Sequence, residues 1–296
     1  MKKNTPQFDA SILRGPWLLE PHTALSFFPM IANHVMGDAS GLTKIEAALI
    51  RSVITPTGKE VRADEDIEEG SIGVIRITGP MFKYGNWWYW GADELVAMAQ
   101  AFENNPNVVG QVWVCDSGGG QVSAVAPYLD FLQNKQKPVV AICDLCASAN
   151  YWIASATDYV MAENNISASF GSIGVMVELT NWKKYYAKEG LDIHTIVADP
   201  SSEKNKAFQL ALEGNYDEIR KELLNPLAIK FQNGVKLNRE SKLDLNVNGL
   251  LNGKMFFTED AISHGLADGV GNLNDAIKKV TELANTTSAV QTFMNQ

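Results

Sequence analysis

Ser148 stands in the stretch CDLCASANYW (143–152), where an apolar run stops and helical spacing begins. A serine there can attack a carbonyl only if a neighbouring group takes its proton. The nearest histidine in sequence is His194, and the others are His22, His34 and His264, so no triad base is evident from spacing. The plainer role for such a serine is a helix N-cap. A second candidate is VCDSGGGQV (114–122), in which Gly118, Gly119 and Gly120 follow an apolar run. Consecutive glycines let backbone N–H groups converge on one point, which suits a phosphate or a developing oxyanion. Neither G-x-x-x-x-G-K-[ST] nor G-x-G-x-x-G is present, which argues against phosphate, and a plain tight turn is the alternative. Cys143 and Cys146 form a C-x-x-C pair, but no second Cys/His pair completes a zinc site. With Cys115 they read as buried small hydrophobes in a reducing compartment.

The elements that must position these residues alternate. SIGVIRITG (71–79), NVVGQVWVCD (107–116), KPVVAIC (137–143) and YVMAE (159–163) have strand character. Between them ADELVAMAQAFENN (92–105), SAVAPYLDFLQNK (123–135) and SANYWIASATD (148–158) have helical character. Leu95, Met98, Ala99 and Phe102 share one face of the first helix. Strand–helix alternation at this spacing implies βαβ units and a mainly parallel sheet, with sites at the carboxyl ends of its strands. The near-continuous apolar strands imply that both sheet faces are covered. Residues 216–239 are helical, with Pro226 starting or kinking a helix. The N-terminal stretch 12–36 reads as short helices broken by Gly15, Pro16, Pro21 and Pro29, and 55–70 as an exposed polar loop.

Apolar residues make up 46% of the 296, enough for a sizeable core, and the net charge of −9 argues against a nucleic-acid partner. No apolar run reaches a membrane span, and MKKNTPQFDA has no apolar segment behind its lysines, so a soluble cytoplasmic protein is expected. MFKYGNWWYWGADE (81–94) gathers Trp87, Trp88 and Trp90, as a substrate lip, a subunit contact or core packing. No metal pattern appears, and no cofactor is expected.

Four motifs in order resemble the signal peptide peptidase A-type serine peptidases, over about Ser71 to Leu273. DSGGGQVSA (116–124) resembles the family's D-S-P-G-G loop, with Gly118 in place of Pro. ASANYWIAS (147–155) resembles the segment around the nucleophile, with Asn150 where Gly or Ala is usual. SFGSIGV (169–175) resembles T-G-S-I-G-V, and NGKMFFTEDAISHGLADGVG (252–271) resembles the family's C-terminal motif. Together with RGPWLLEPHTAL (14–25), the likeness is to phage and prophage capsid-maturation proteases of the minor capsid protein C type.

The resemblance implies a Clp protease/crotonase-like α/β fold: a mainly parallel sheet of repeated ββα/βαβ units with a helical C-terminal part. It divides the chain into an extension and linker (1–70), a peptidase domain (71–275) and a tail (276–296). It implies a Ser–Lys dyad, with Ser148 as nucleophile and Lys204 as base. Lys206 is the alternative base, since the glycine expected before the lysine is absent from ADPSSEK (198–204). Ser172 would hydrogen-bond the lysine, and the N–H groups of Gly119 and Gly120 would line the oxyanion hole. A lysine titrates near ~10.4 and must fall toward ~7–8 to act as a base, which burial in an apolar site can supply. The implied activity is peptide hydrolysis, on capsid or scaffold protein inside an assembling procapsid, by a homo-oligomer. A soluble peptidase of signal-peptide remnants and an inactive structural homologue are the alternatives. A crotonase-like acyl-CoA enzyme would need acids beside the glycine loop, where Asp116 is the close candidate.

Overall fold

Apolar runs too continuous for a half-solvated sheet become parallel strands covered on both faces. The structure, a computed structural model, describes residues 17–19, 44, 46–63, 65–86, 89–179, 181 and 183–294. Its strands are β1 (Trp17–Leu19), β2 (Arg51–Ile54), β3 (Glu60–Arg62), β4 (Ser71–Thr78), β5 (Val108–Ser117), β6 (Gly119–Gln121), β7 (Val139–Ala147), β8 (Tyr159–Ala162), β9 (Ser169–Gly171), β10 (Met255–Phe257) and β11 (Gly269–Val270). The helices used below are α1 (Ala92–Asn104), α2 (Val122–Asn134), α3 (Ala149–Ser155), α4 (Asn225–Arg239), α5 (Thr258–Ser263) and α6 (Leu273–Met294).

Among the described residues the main sheet runs β10-β9-β7-β5-β4-β2-β3, and β8 joins β7 to β11. β4, β5 and β7 are mutually parallel. β7 then diverges: Val140–Cys143 carries β8 and Leu145–Ala147 carries β9, both parallel. The α/β, mainly parallel architecture expected from the alternation is the one observed.

One face of the sheet packs against α1 and α2, where Leu95, Ala99, Phe102, Tyr128 and Phe131 meet Trp113 and Ala141. Met98, expected on the same stripe, is partly buried against this core. The opposite face packs against α6, whose Ala276 and Val280 meet Val112, Val140 and Ile142. Full burial of each large side chain contributes roughly 1.5–3 kcal/mol. At the far end of α4, Arg239 is buried and forks onto the Asp268 carboxylate at 2.8 and 2.9 Å. Pro226 opens α4, directly after a π-turn at Arg220–Leu224.

Two expectations are corrected. The sheet begins before residue 71, because β2 pairs antiparallel with β4 and a turn at 55–59 returns the chain as edge strand β3. β3 is only three residues long, Glu60, Val61 and Arg62, too short for alternation to register, and its pairing partner makes it a strand. Residues 276–294 are not a tail but the bulk of α6, whose Ala276, Val280 and Leu283 lie on one helical face against the sheet. Of the N-terminal stretch, the described residues 17–19 are a strand, and the helices expected around them lie outside the described residues, as do His22, His34, Trp87 and Trp88. Trp90 packs on the core with the Lys44 ammonium 3.9 Å from its ring.

Candidate active site

β7 is buried to its last residue, Ala147, and α3 starts at Ala149. Ser148 makes the whole turn between them, at φ 56° and ψ −120°. Holding a non-glycine residue there costs about 1–3 kcal/mol and needs support from both sides. The support is visible: the Ser148 N–H donates to Gly171 O at 2.8 Å, and Trp152 N–H donates to Ser148 O at 3.0 Å. Ser148 does occupy the N-cap position, but its side chain makes no capping hydrogen bond. A sharp strand-to-helix turn of this kind presents a nucleophilic hydroxyl at the carboxyl end of a parallel strand.

The glycine loop leaves the neighbouring strand at the same end, since Ser117 of β5 pairs with Cys146 of β7. Gly119 has φ 102°, open to glycine at little cost. Its N–H donates to Ser117 Oγ at 3.0 Å. Gly120 lies so close to Met81 that an added Cβ would stand 2.1 Å from Met81 O. Met81 N–H donates to Gly119 O, and Gln121 N–H donates to Met81 O, both at 2.9 Å. Across β6 from Met81 runs β1, antiparallel, with Leu19 opposite Gly119 and Trp17 opposite Gln121. The N–H of Ala149, first in α3, has no intrahelical partner and directly follows the candidate nucleophile. Reading from motifs missed it, although a helix starting one residue after a reactive serine is signal enough.

A second strained serine adjoins the first. Gly171, the acceptor for Ser148 N–H, is followed by Ser172 at φ 52°, whose own N–H donates to Lys254 O at 3.1 Å. Four motifs far apart in sequence thus meet at one sheet end: the glycine loop, the Ser148 turn, 171–172 and the segment around Lys254.

The structure does not bring the lysines into hydrogen-bond contact with Ser148. Lys204 is exposed in a turn after Asp199–Ser201, and no partner meets its ammonium among the described residues. Lys206 opens the helix Lys206–Leu212 and pairs with both Glu203 oxygens at 3.0 Å. The hydrogen bond and charge of Glu203 hold the Lys206 amine above its ordinary range, the wrong direction for a base. Both follow in sequence an arm that exposes Leu191, Ile193 and Ile196, the last at 91%. His194 is exposed on that arm, and His264 sits against the Phe256 ring with Nδ1 3.3 Å from Ser263 Oγ.

Burial first, then the nearby Asp144 charge, raise the Asp116 carboxyl, against the Leu145 N–H, which lowers it. Asp144 itself accepts from Ser167 Oγ at 2.9 Å and Asn164 Nδ2 at 3.3 Å. Cys115, Cys143 and Cys146 are free and buried, with Cys115 opposite Cys143 in the sheet. Burial is the main cause raising the Cys143 and Cys146 thiols, and the hydrogen bond that Cys115 donates to Cys143 heads the causes raising Cys115, so all three stay protonated packing groups.

A sequence model of peptidase family S49 matches residues 131–287. The chain is 30% identical over 186 residues to a protein of Methanocaldococcus jannaschii named as a protease, covering 62% of this chain and 58% of that one. It is 26% identical to Protease 4 of Haemophilus influenzae, over 69% of this chain and 33% of that one. It is 24% identical to the capsid assembly protease C of Escherichia phage lambda, over 93% of this chain and 65% of that one. It thus spans less than two-thirds of the length of each of these relatives. Among solved structures it is similar to a lysine-to-alanine mutant of the 1510-N membrane-bound stomatin-specific protease in complex with a substrate peptide, with a TM-score of 0.41, 15% identity and coverage of 72% and 80%.

Proposed function

Because the chain belongs to peptidase family S49, we propose that it is a serine endopeptidase working through an acyl-enzyme, with Ser148 as nucleophile and Lys204 as base. Ser148 itself carries the reading. Its backbone is strained and held from both sides, its hydroxyl is unused by the helix it precedes, and a glycine loop lies one strand away. Strain of this kind persists where a side chain must be aimed.

In the proposed reaction the neutral Lys204 amine takes the Ser148 proton as Oγ attacks the peptide carbonyl. The N–H groups of Gly119 and Ala149 receive the oxyanion, with Gly120 holding the loop against Met81. For this, the Gly119 N–H exchanges Ser117 Oγ for substrate oxygen. The Lys204 ammonium then protonates the leaving amine, and the amine so restored activates the water that frees the acyl group. Ser172 Oγ orients the lysine. The substrate lies extended along the edge of β6 opposite Met81, the edge that β1 occupies.

Lys204 needs cover from water to be neutral, and its own subunit leaves it exposed. The exposed Leu191, Ile193 and Ile196 support a homo-oligomer in which a second copy covers this arm and completes the dyad. The likeness to the lambda capsid protease takes in all but a small remainder of the chain, including most of the N-terminal region that the S49 match omits, and supports a capsid or scaffold substrate. Among the described residues no helix is long and apolar enough to cross a membrane.

Incubation with an unfolded casein-like substrate, followed by mass spectrometry, tests the reading. Wild type and Lys206→Ala yield fragments, whereas Ser148→Ala and Lys204→Ala yield none. Fragments from Ser148→Ala would overturn the nucleophile assignment, and an inactive Lys206→Ala beside an active Lys204→Ala would move the base. Cleavage of a phage scaffold protein in preference to signal-peptide fragments tests the capsid role.

A further inference from the structure

We propose that Asn150 is a positioning residue for this reaction: its amide pins the glycine loop to the turn that carries Ser148. The inference rests on the reading of Ser148 and Gly119 given above. Asn150 is the second residue of α3 and has no exposed surface. Its Nδ2 donates to Ser117 O at 3.3 Å and to Leu145 O at 3.2 Å. Ser117 ends β5, and Leu145 lies three residues before Ser148 on β7. One amide group therefore bridges the two strand ends whose separation sets the distance from hydroxyl to oxyanion donor. The chain of contacts continues, because Ser117 Oγ donates to Gly79 O at 2.5 Å and accepts the Gly119 N–H.

Two further observations show that the amide is kept for its donors. Asn150 Oδ1 is buried and has no hydrogen-bond partner among the described residues. Its orientation is dictated, since both groups facing the other end of the amide are carbonyls, which accept and cannot donate. A buried acceptor left unpaired is a cost that alanine would avoid at the same position. The loop to be held is also unusually free: Gly118, Gly119 and Gly120 are consecutive and carry no side chain to restrict them. Gly118 is not among the residues with positive φ, and the preceding Ser117 is extended, so neither of these two conditions bars a proline there. A proline at 118 would stiffen from within what Asn150 holds from outside.

The test is steady-state hydrolysis of a peptide by the full chain. Asn150→Ala lowers kcat by about 10–100-fold, the scale expected when catalytic groups are misplaced by up to ~1 Å, with KM changed less than about two-fold. Asn150→Leu, which keeps the branched shape and loses the donors, falls as far. In a Gly118→Pro background the same Asn150→Ala change costs less than about three-fold, the non-additivity of two residues serving one loop. Melting curves identify any variant that fails to fold, and fluorophosphonate labelling of Ser148, which also passes through an anionic centre, then reports the same loss per folded molecule. Full kcat in Asn150→Leu, or equal losses with and without Gly118→Pro, overturns the proposal. Activity surviving in Ser148→Ala overturns the underlying reading as well, and that control separates the two failures.

Discussion

Gly120→Ala measures how tightly the glycine loop is built. The new methyl carbon would stand 2.1 Å from Met81 O, 2.5 Å from Met81 N and 2.7 Å from Met81 C. These are backbone atoms, so no side-chain rotation relieves the contact. Reaching even the shortest separation real Cβ atoms tolerate, 3.0 Å, requires β6 and Met81 to part by roughly 1 Å. Gly119 N–H moves with β6, because Gly119 O and Gln121 N–H bracket Met81 by hydrogen bonds. A misplacement of that size costs about 10²-fold in rate, equal to about 2.7 kcal/mol at 1.36 kcal/mol per tenfold, and matches the loss of one oxyanion donor. The assay is kcat and KM on a peptide beside a melting curve, with Gly58→Ala as control. Gly58 has φ 82° and open space around it, so alanine there strains a distant hairpin without touching the loop. The expected result is a kcat loss in Gly120→Ala alone. Full activity in Gly120→Ala, with unchanged melting, would refute both the close approach and the role of the loop.

Lys204→Arg is expected to be as inactive as Lys204→Ala, because a guanidinium does not deprotonate in proteins; peptide turnover by the arginine variant would remove Lys204 as base. The paired change Leu18→Pro and Leu19→Pro removes whichever of these adjacent N–H groups faces β6, loosening β1 from that edge, and is expected to raise kcat/KM on peptides several-fold; an unchanged or lower value would mean that β1 does not compete with substrate. Burial raises the Asp268 carboxyl, but the hydrogen bonds and charge of Arg239, with Lys242 and the Val160 N–H, outweigh it and hold the group below its usual range. Asp268→Asn leaves buried Arg239 unpaired and is expected to cost about 3–5 kcal/mol in urea unfolding at neutral pH. Because the carboxyl is lowered, that stabilisation is present above the ordinary carboxylate range and is lost as pH falls through the lowered value, so wild type and variant converge in acid. A difference that persists in acid would contradict the ion pair.

Strand and helix identities from residue 71 to 163 were readable because each rests on local pattern: β5 is apolar along both faces, and Leu95, Ala99 and Phe102 recur on one helical stripe. The candidate residues were readable for the same reason, since the glycine run and the Ser148 and Ser172 segments are short motifs. β3 was not readable, because three residues with one valine between two charges become a strand only through the edge they meet. Nor was α6 as the cover of a sheet face, since a helical stripe does not name what it covers.

Sequence alone thus determined the candidates for chemistry here: a serine before a helix, glycines after a strand, and lysines in a polar arm. Tertiary structure decided how Ser148 is held, because its φ of 56° is imposed by Gly171 on one side and Trp152 on the other. It also decided that Asn150 reaches Ser117, a residue 33 positions away, and that Lys204 stays exposed to water. Backbone strain, a bridging amide and the hydration of an amine are properties of what surrounds a residue, and those surroundings come from distant parts of the chain.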